Sequence, residues 1–552
     1  MQQTQNNFRT CAMVHNIRVI FAVILLGLTA LFTTYKPSMA GPVETEIEST
    51  VNGLSSSGVS KIGTVPIVSG DFLKQFYALR SYEPAWTDPA AQEDLLNQID
   101  NALREGFRPQ DFHATDLVNL QIDASSGDPV AVARFDIVAT AAAALVLHHK
   151  YYGKVDPRTL NSEWNFLRPF QQGNPAQLLY QYLTVATLGA LVDDLDLYHP
   201  TYMALQQGLA QYREIAAQGG WPAVPDSVVL KPGMQDPSIP VLRERLTITG
   251  DLAPGDLTSD IYDPELEIAV QHFQTRHGLD PDGAIGPRTF TALNRPVEFR
   301  IDQLRATLER ARWLIRDTES DFVFVNIGSA ETILVKDSTI VWRTRSIVGQ
   351  VYRKTPVFRD EIEYMEFNPT WTVPASIFQR DKLEKIRQDP GYLERGGYNV
   401  VNADGQIIDP GMVNWASDNP PVKLVQRPGP KNALGQVKFM FPNEYSVYLH
   451  DTDNRSLFDR ADRNLSSGCI RVENPFELAD LLMEGDPDWS DARRQDILAS
   501  GKTTRITLPK PMPVLLTYYT AWVNAEGLVE FREDIYERDQ PVLDALNKDF
   551  SG

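Results

Sequence analysis

At Phe322 the hydrophobic pattern of this chain changes period, and that change constrains the fold more than any other feature. Up to residue 316 the apolar residues recur at spacings of three and four, as on the buried face of helices. From there the runs Phe322-Val323-Phe324-Val325-Asn326-Ile327 and Thr339-Ile340-Val341-Trp342-Arg343 are β-branched and aromatic, joined by polar turns, and they predict strands. Val437 to Phe441 and Tyr445 to His450 continue the strand pattern, with Pro442-Asn443 turning the chain between them. A chain of 552 residues is too long for one core. The change of period therefore reads as a multidomain α+β protein, helical first and mainly β afterwards.

The helical half divides further. Arg9, His15 and Arg18 precede an apolar run from Val19 to Phe32, and Ser38-Met39-Ala40 offers the small residues a signal peptidase accepts, so residues 1–40 read as a signal peptide or membrane anchor. Residues 41–65, with Ser55-Ser56-Ser57-Gly58, read as a flexible leader. Residues 66–230 read as a mostly helical domain: Phe72, Phe76 and Leu79 recur at helical spacing, and the apolar segment Ala139 to Leu147 is closed by Gly153 and Pro157. His148 and His149 are adjacent, so they do not share a helix face and read as surface or packing residues rather than metal ligands. After the Pro-rich boundary of Pro222, Pro225 and Pro232, residues 231–296 read as a three-helix unit. Leu242 and Leu246 lie on its first helix, Leu266, Ala269, Val270 and Phe273 on its second, and Phe290 and Leu293 on its third, which Pro287 opens. His272 and His277 are expected at its surface. Residues 297–318 form a connecting helix, residues 319–510 the mainly β domain, and residues 511–552 a C-terminal segment. Between the early and late strands lies a charged insertion rich in Pro and Gly, about residues 372–430, of the kind that forms a lid or binding loop.

Composition excludes one class of partner. The formal charge is −20 and the isoelectric point near 4.9, so the surface repels nucleic acid over most of its area. Residues 1–40 hold three basic side chains and no acidic ones, so their removal makes the remainder more negative still. A local basic groove is expected around Arg343, Arg345, Arg353 and Lys354.

The chemistry falls between Tyr448 and Pro475. Cys469 is one of two cysteines in the chain, and His450 is the only histidine after His277. A thiol and an imidazole are what nucleophilic acyl transfer requires: the thiolate attacks a carbonyl, and the ring takes and returns the proton. Once residues 1–40 leave with Cys11, Cys469 is unpaired, and a lone thiol in an exported protein calls for a reason. A buried inert cysteine is the plain alternative. A papain-type order is excluded because His precedes Cys here, and a zinc site lacks the three or four ligands it needs. Asn474, Pro475 and Glu477 start a helix ended by Gly485, with Leu478, Leu481 and Leu482 facing a core, so Cys469 lies in a loop between a strand and a helix.

The residues His450-Asp451-Thr452 and Ser466-Ser467-Gly468-Cys469-Ile470-Arg471 resemble the motifs of the L,D-transpeptidase catalytic domain, the YkuD-like family. Many members carry histidine directly before Gly-Cys, where this chain has Ser467. The stretches IVGQVYRKTPVF, EFNPTWTVPASI and KFMFPNEYSVYLHDT, with the helical N-terminal half, resemble the large YcbB-type enzymes of Gram-negative bacteria. YDPELEIAVQHFQTRHGLDPDGAIGPRTFTALN resembles peptidoglycan-binding domain 1. The resemblance implies a periplasmic transpeptidase that needs no cofactor and forms 3→3 cross-links between peptidoglycan stem peptides. Cys469 is then the nucleophile, His450 the proton carrier, and the Gly468 N–H, with that of Cys469, an oxyanion donor. Tyr448, Ser467, Arg471, Asn368 and Trp371 are expected as substrate contacts, Arg471 either on a stem carboxylate or bracing the loop through carbonyls and Glu473. Carbapenem-type inhibitors and penicillin-binding proteins are the implied partners. Water in place of the second amine gives hydrolysis on the same site, and the alternative from another class is a catalytically inactive wall-binding scaffold.

Overall fold

The computed structural model describes residues 41–549 apart from 162, 163, 167–169, 171, 172, 227 and 390, so the signal or anchor segment lies outside the described residues. Residues 41–65 correct the expectation of a flexible leader. Pro42–Asn52 is a helix, and Ser60–Ile62 pairs with Val65–Ile67. Ile47, Val51 and Leu54 fall at i, i+4 and i+7 and are buried in the helical core, which outweighs the serine-rich turn.

That core is organised on helix α1 (Pro129–Tyr152). Asp128 caps it by accepting from the Ala131 N–H, Pro129 opens it, and Gly153 at φ +85° ends it. It is apolar on every side and correspondingly buried on nearly every side. Among the described residues it is the one helix long and apolar enough to cross a membrane, but 78% of its most apolar window is buried inside the protein. His149 packs between Phe107 and Phe112, as expected of a packing residue.

Helix α2 (Val297–Leu314) joins the domains. It packs on the helix Pro200–Ala217 and on the C-terminal helix Asp539–Asn547, and its buried Arg312 pairs with Glu309 at 2.8 Å. The three-helix unit is Ile239–Ile248, Pro264–Arg276 and Pro287–Leu293, with every apolar residue named above in its core. His277 departs from its expected surface place: it is 7% exposed and stacks on Phe273 at 3.8 Å, because Gly278 turns the chain back over the helix end.

The β domain is built from β1 (Phe322–Asn326), β2 (Glu331–Lys336), β3 (Thr339–Gly349), β4 (Phe358–Phe367), β5 (Val437–Met440), β6 (Leu449–His450), β7 (Asn464–Ser466), β8 (Ile470–Val472) and β9 (Thr504–Thr517). The strand order is β7-β3-β8-β6-β5-β4-β9-β1-β2, and β2 pairs again with β3, so the sheet closes on itself. Two expected boundaries shift. The strand at 445–450 is only Leu449–His450, because Ser446 at φ +54° holds a turn, and β9 runs through the boundary expected at 510/511 because Met512–Leu516 pair with β4. The insertion has its own four-stranded sheet, with Trp371–Thr372, Lys423–Gln426, Tyr398–Val401 and Ile407–Ile408 in that order, and its own core. Tyr448 packs against both that core and the barrel core.

Candidate active site

Strand pairing brings Cys469 and His450 to one face of the barrel wall. β6 and β8 run parallel with Leu449 opposite Ile470 and His450 opposite Arg471, and the Ile470 N–H donates to the Tyr448 carbonyl at 3.1 Å. Leu449 and Ile470 are fully buried in the barrel core. Side chains alternate along a strand, so Tyr448, His450, Cys469 and Arg471 share the opposite face. The four residues sit together because two short runs, YLH and CIR, are in register.

The turn before the thiol is held by its own hydroxyl. Ser466 Oγ donates to the Cys469 carbonyl at 2.6 Å and accepts from the Gly468 N–H at 3.1 Å, while Thr355 Oγ1 donates to the Gly468 carbonyl at 2.8 Å. Gly468 has φ +117°, a conformation that L side chains rarely adopt. The expected oxyanion donor at Gly468 is thus engaged within the turn, whereas the Cys469 N–H has no acceptor among the described residues.

Cys469 is half-buried and free. Its thiol is crowded enough that burial pushes its pKa up to about 11, against the Tyr448 N–H and hydroxyl and the charges of Arg471 and Lys438, which favour the thiolate. The thiol donates to the Ser446 carbonyl at 3.6 Å, and among the described residues no hydrogen bond joins it to His450. His450 is 4% exposed. Its Nδ1–H donates to the Asp451 carbonyl at 2.5 Å, which fixes the tautomer and leaves Nε2 as the basic nitrogen. Burial first, then the Arg471 charge, pull its pKa down to about 3, so the ring is neutral. The ring meets that of Tyr448 edge-on at 5.6 Å. The Tyr448 hydroxyl lies between the thiol and the Trp371 indole N–H, and burial holds the phenol far above its ordinary range.

Arg471 is largely buried, and its Nε has no partner among the described residues. Glu473, the expected brace, pairs instead with Arg345. Ser467 is exposed and its Oγ accepts from Arg353 at 2.7 Å; the same guanidinium pairs with Asp381 of the insertion at 2.8 Å. Sequence reasoning placed Arg353 in a basic groove and missed the parts played by Asp381 and Thr355, whose contacts with Arg353 and Gly468 are distant in sequence, and that of Ser466, which bonds within its own turn. The groove itself does not form: Arg343 pairs with Glu331, Arg345 with Glu473 and Asp459, Arg353 with Asp381, and Lys354 donates to the Tyr536 carbonyl. Asn368 is also corrected. It is buried at φ +47°, and its amide donates to the carbonyls of Ile497, Leu498 and Lys502, so it ties down a helix end rather than facing the thiol. No group of three or more His, Cys, Asp or Glu able to hold a metal is present among the described residues.

A half-buried thiol and a neutral imidazole share one barrel face, and the comparisons give the class of the domain that holds them. Residues 320–488 match the family described as "L,D-transpeptidase catalytic domain", residues 235–293 "Putative peptidoglycan binding domain", and residues 71–209 "Scaffold domain". The chain carries an L,D-transpeptidase catalytic domain beside a peptidoglycan-binding domain.

Among individual proteins, it is 37% identical over 221 residues to a protein of Haemophilus influenzae described as "Putative L,D-transpeptidase", a match covering 40% of this chain and 45% of that protein. The chain thus matches less than half the length of this relative. Solved structures of L,D-transpeptidases from Stackebrandtia nassauensis (12% identity, TM-score 0.21, 52% of this chain and 94% of that one) and Xylanimonas cellulosilytica (14%, 0.18, 53% and 99%) are also similar.

Proposed function

We propose that this chain is an exported peptidoglycan L,D-transpeptidase that forms 3→3 cross-links through a Cys469 thioester. The observation that carries this reading is the parallel register of β6 and β8, which sets a thiol and a neutral imidazole of fixed tautomer on one face. The thiol proton passes to His450 Nε2 as sulfur attacks the carbonyl carbon of the diaminopimelate–D-Ala bond in a donor tetrapeptide. Collapse breaks that C–N bond, and His450 returns the proton to the leaving D-alanine amine. The side-chain amine of a second diaminopimelate then attacks the thioester, loses its proton to His450, and releases the thiolate, which is reprotonated. The Cys469 N–H is the oxyanion donor that this geometry leaves free. Arg471, with an unpartnered buried N–H, takes a carboxylate of the stem, and Trp371 and Tyr448 form the wall between the thiol and the insertion, which acts as the lid. The reading places the protein in the periplasm, working beside penicillin-binding proteins and open to carbapenem acylation. Incubating it with disaccharide-tetrapeptide and separating products by mass tests the reaction. Cross-linked tetrapeptide-tripeptide with free D-alanine supports it, and tripeptide alone shows hydrolysis instead.

A further inference from the structure

A second cavity, apart from the thiol, has the character of a ligand site. It encloses about 240 Å³ between Pro157, Leu160, Asn161 and Trp164 on one side and helix α2 and the C-terminal segment on the other. Trp164, Trp313, Tyr518 and Tyr519 give it aromatic walls, and Arg310 and Arg538 supply two guanidiniums. Arg310 is already paired with Asp539 at 2.5 Å. Arg538 is not part of any ion pair among the described residues: its Nη2 donates to the Thr355 carbonyl at 3.2 Å, and it lies over the Tyr518 and Tyr536 rings. Three polar atoms on this lining are buried without a partner among the described residues, namely Tyr519 Oη, Arg538 Nη1 and Trp164 Nε1. Tyr519 is only 4% exposed.

Buried donors without acceptors are costly, and three in one cavity are not what packing alone would leave. Each is an N–H or O–H, and one is positively charged, so the missing group is an acceptor with negative charge. The aromatic walls suit an uncharged body beside it. Glu537, the carboxylate on the lining, is exposed at the rim. Thr355 separates this cavity from the nucleophile turn, bonded on one side to Arg538 and on the other to Gly468.

We propose that this cavity binds a small organic acid, its carboxylate on the Tyr519 hydroxyl, Arg538 and the Trp164 indole N–H and its body between the aromatic rings. A sugar acid and an acylated amino acid both present that chemistry. The test is titration calorimetry on the chain carrying Cys469→Ala, so that the outcome does not depend on thiol chemistry. The probes are N-acetylmuramic acid, N-acetyl-D-alanine and, as the uncharged comparison, N-acetylglucosamine. Saturable heat is expected with at least one acid and none with the uncharged sugar, and the acid that binds identifies the source. Tyr519→Phe is expected to weaken that binding about fivefold or more without lowering the melting temperature, since its hydroxyl has no partner to lose. Absence of binding by both acids, equal binding of the uncharged sugar, or unchanged affinity in Tyr519→Phe overturns the proposal.

Discussion

Cys469 and His450 are both neutral at rest: the thiol titrates near 11 and the imidazole near 3. A preformed thiolate–imidazolium pair would need the reverse order. Alkylation by iodoacetamide is therefore expected to be slower at pH 7 than for a free cysteine and to rise about tenfold per pH unit toward 11. A rate already flat through neutral pH would show the ion pair. Tyr448 works in the other direction, since its hydroxyl and N–H favour the thiolate. Tyr448→Phe removes the hydroxyl alone, so the thiol pKa should move further up and carbapenem acylation should fall about ten- to a hundredfold, as for a hydrogen bond to a charged group. Stopped-flow acylation rates check this.

At the scale of elements, the insertion is fastened to the turn before Cys469 through Arg353, which reaches Asp381 and Ser467 together. Asp381→Asn keeps the shape and weakens the clasp. Hydrogen exchange at 375–395 should quicken while the barrel strands keep their protection, and unchanged exchange there would show that the clasp does not hold the insertion. The barrel strands and the three-helix unit were legible in sequence because each buries a periodic apolar face of its own. Cys469 and His450 were legible as a pair because a rare thiol and a rare imidazole stood at a family spacing. What was not legible rests on contacts between distant residues. Asn368 is claimed by carbonyls at Ile497 and Leu498, the Gly468 carbonyl by Thr355 Oγ1, and the barrel wall is completed by pairing of β8 with β3 and of β9 with β1. The helix at Pro42–Asn52 was hidden by the serine-rich turn after it, since its order comes from the core it packs on.

For the whole molecule, burial lowers the pKa of five of the described histidines: His113, His149 and His199 in the helical domain, His277 in the three-helix unit and His450 in the barrel. The unfolded chain protonates them near 6.5, the folded chain only at lower pH, so the unfolded state binds more protons in between. Stability is then highest above about 6.5 and falls as the pH drops toward 3, by up to about 1.4 kcal/mol per pH unit for each such histidine. His272, raised by Asp251, opposes this in part. Urea midpoints at pH 7.5 and pH 5 should differ, with the lower value at pH 5; equal midpoints would contradict the burial of these rings. The central claim, a nucleophilic Cys469, is tested most directly by the intact mass of the chain after exposure to a carbapenem. The account predicts one covalent adduct on the wild type and none on Cys469→Ala. An unmodified wild type, or equal modification of both, would contradict it.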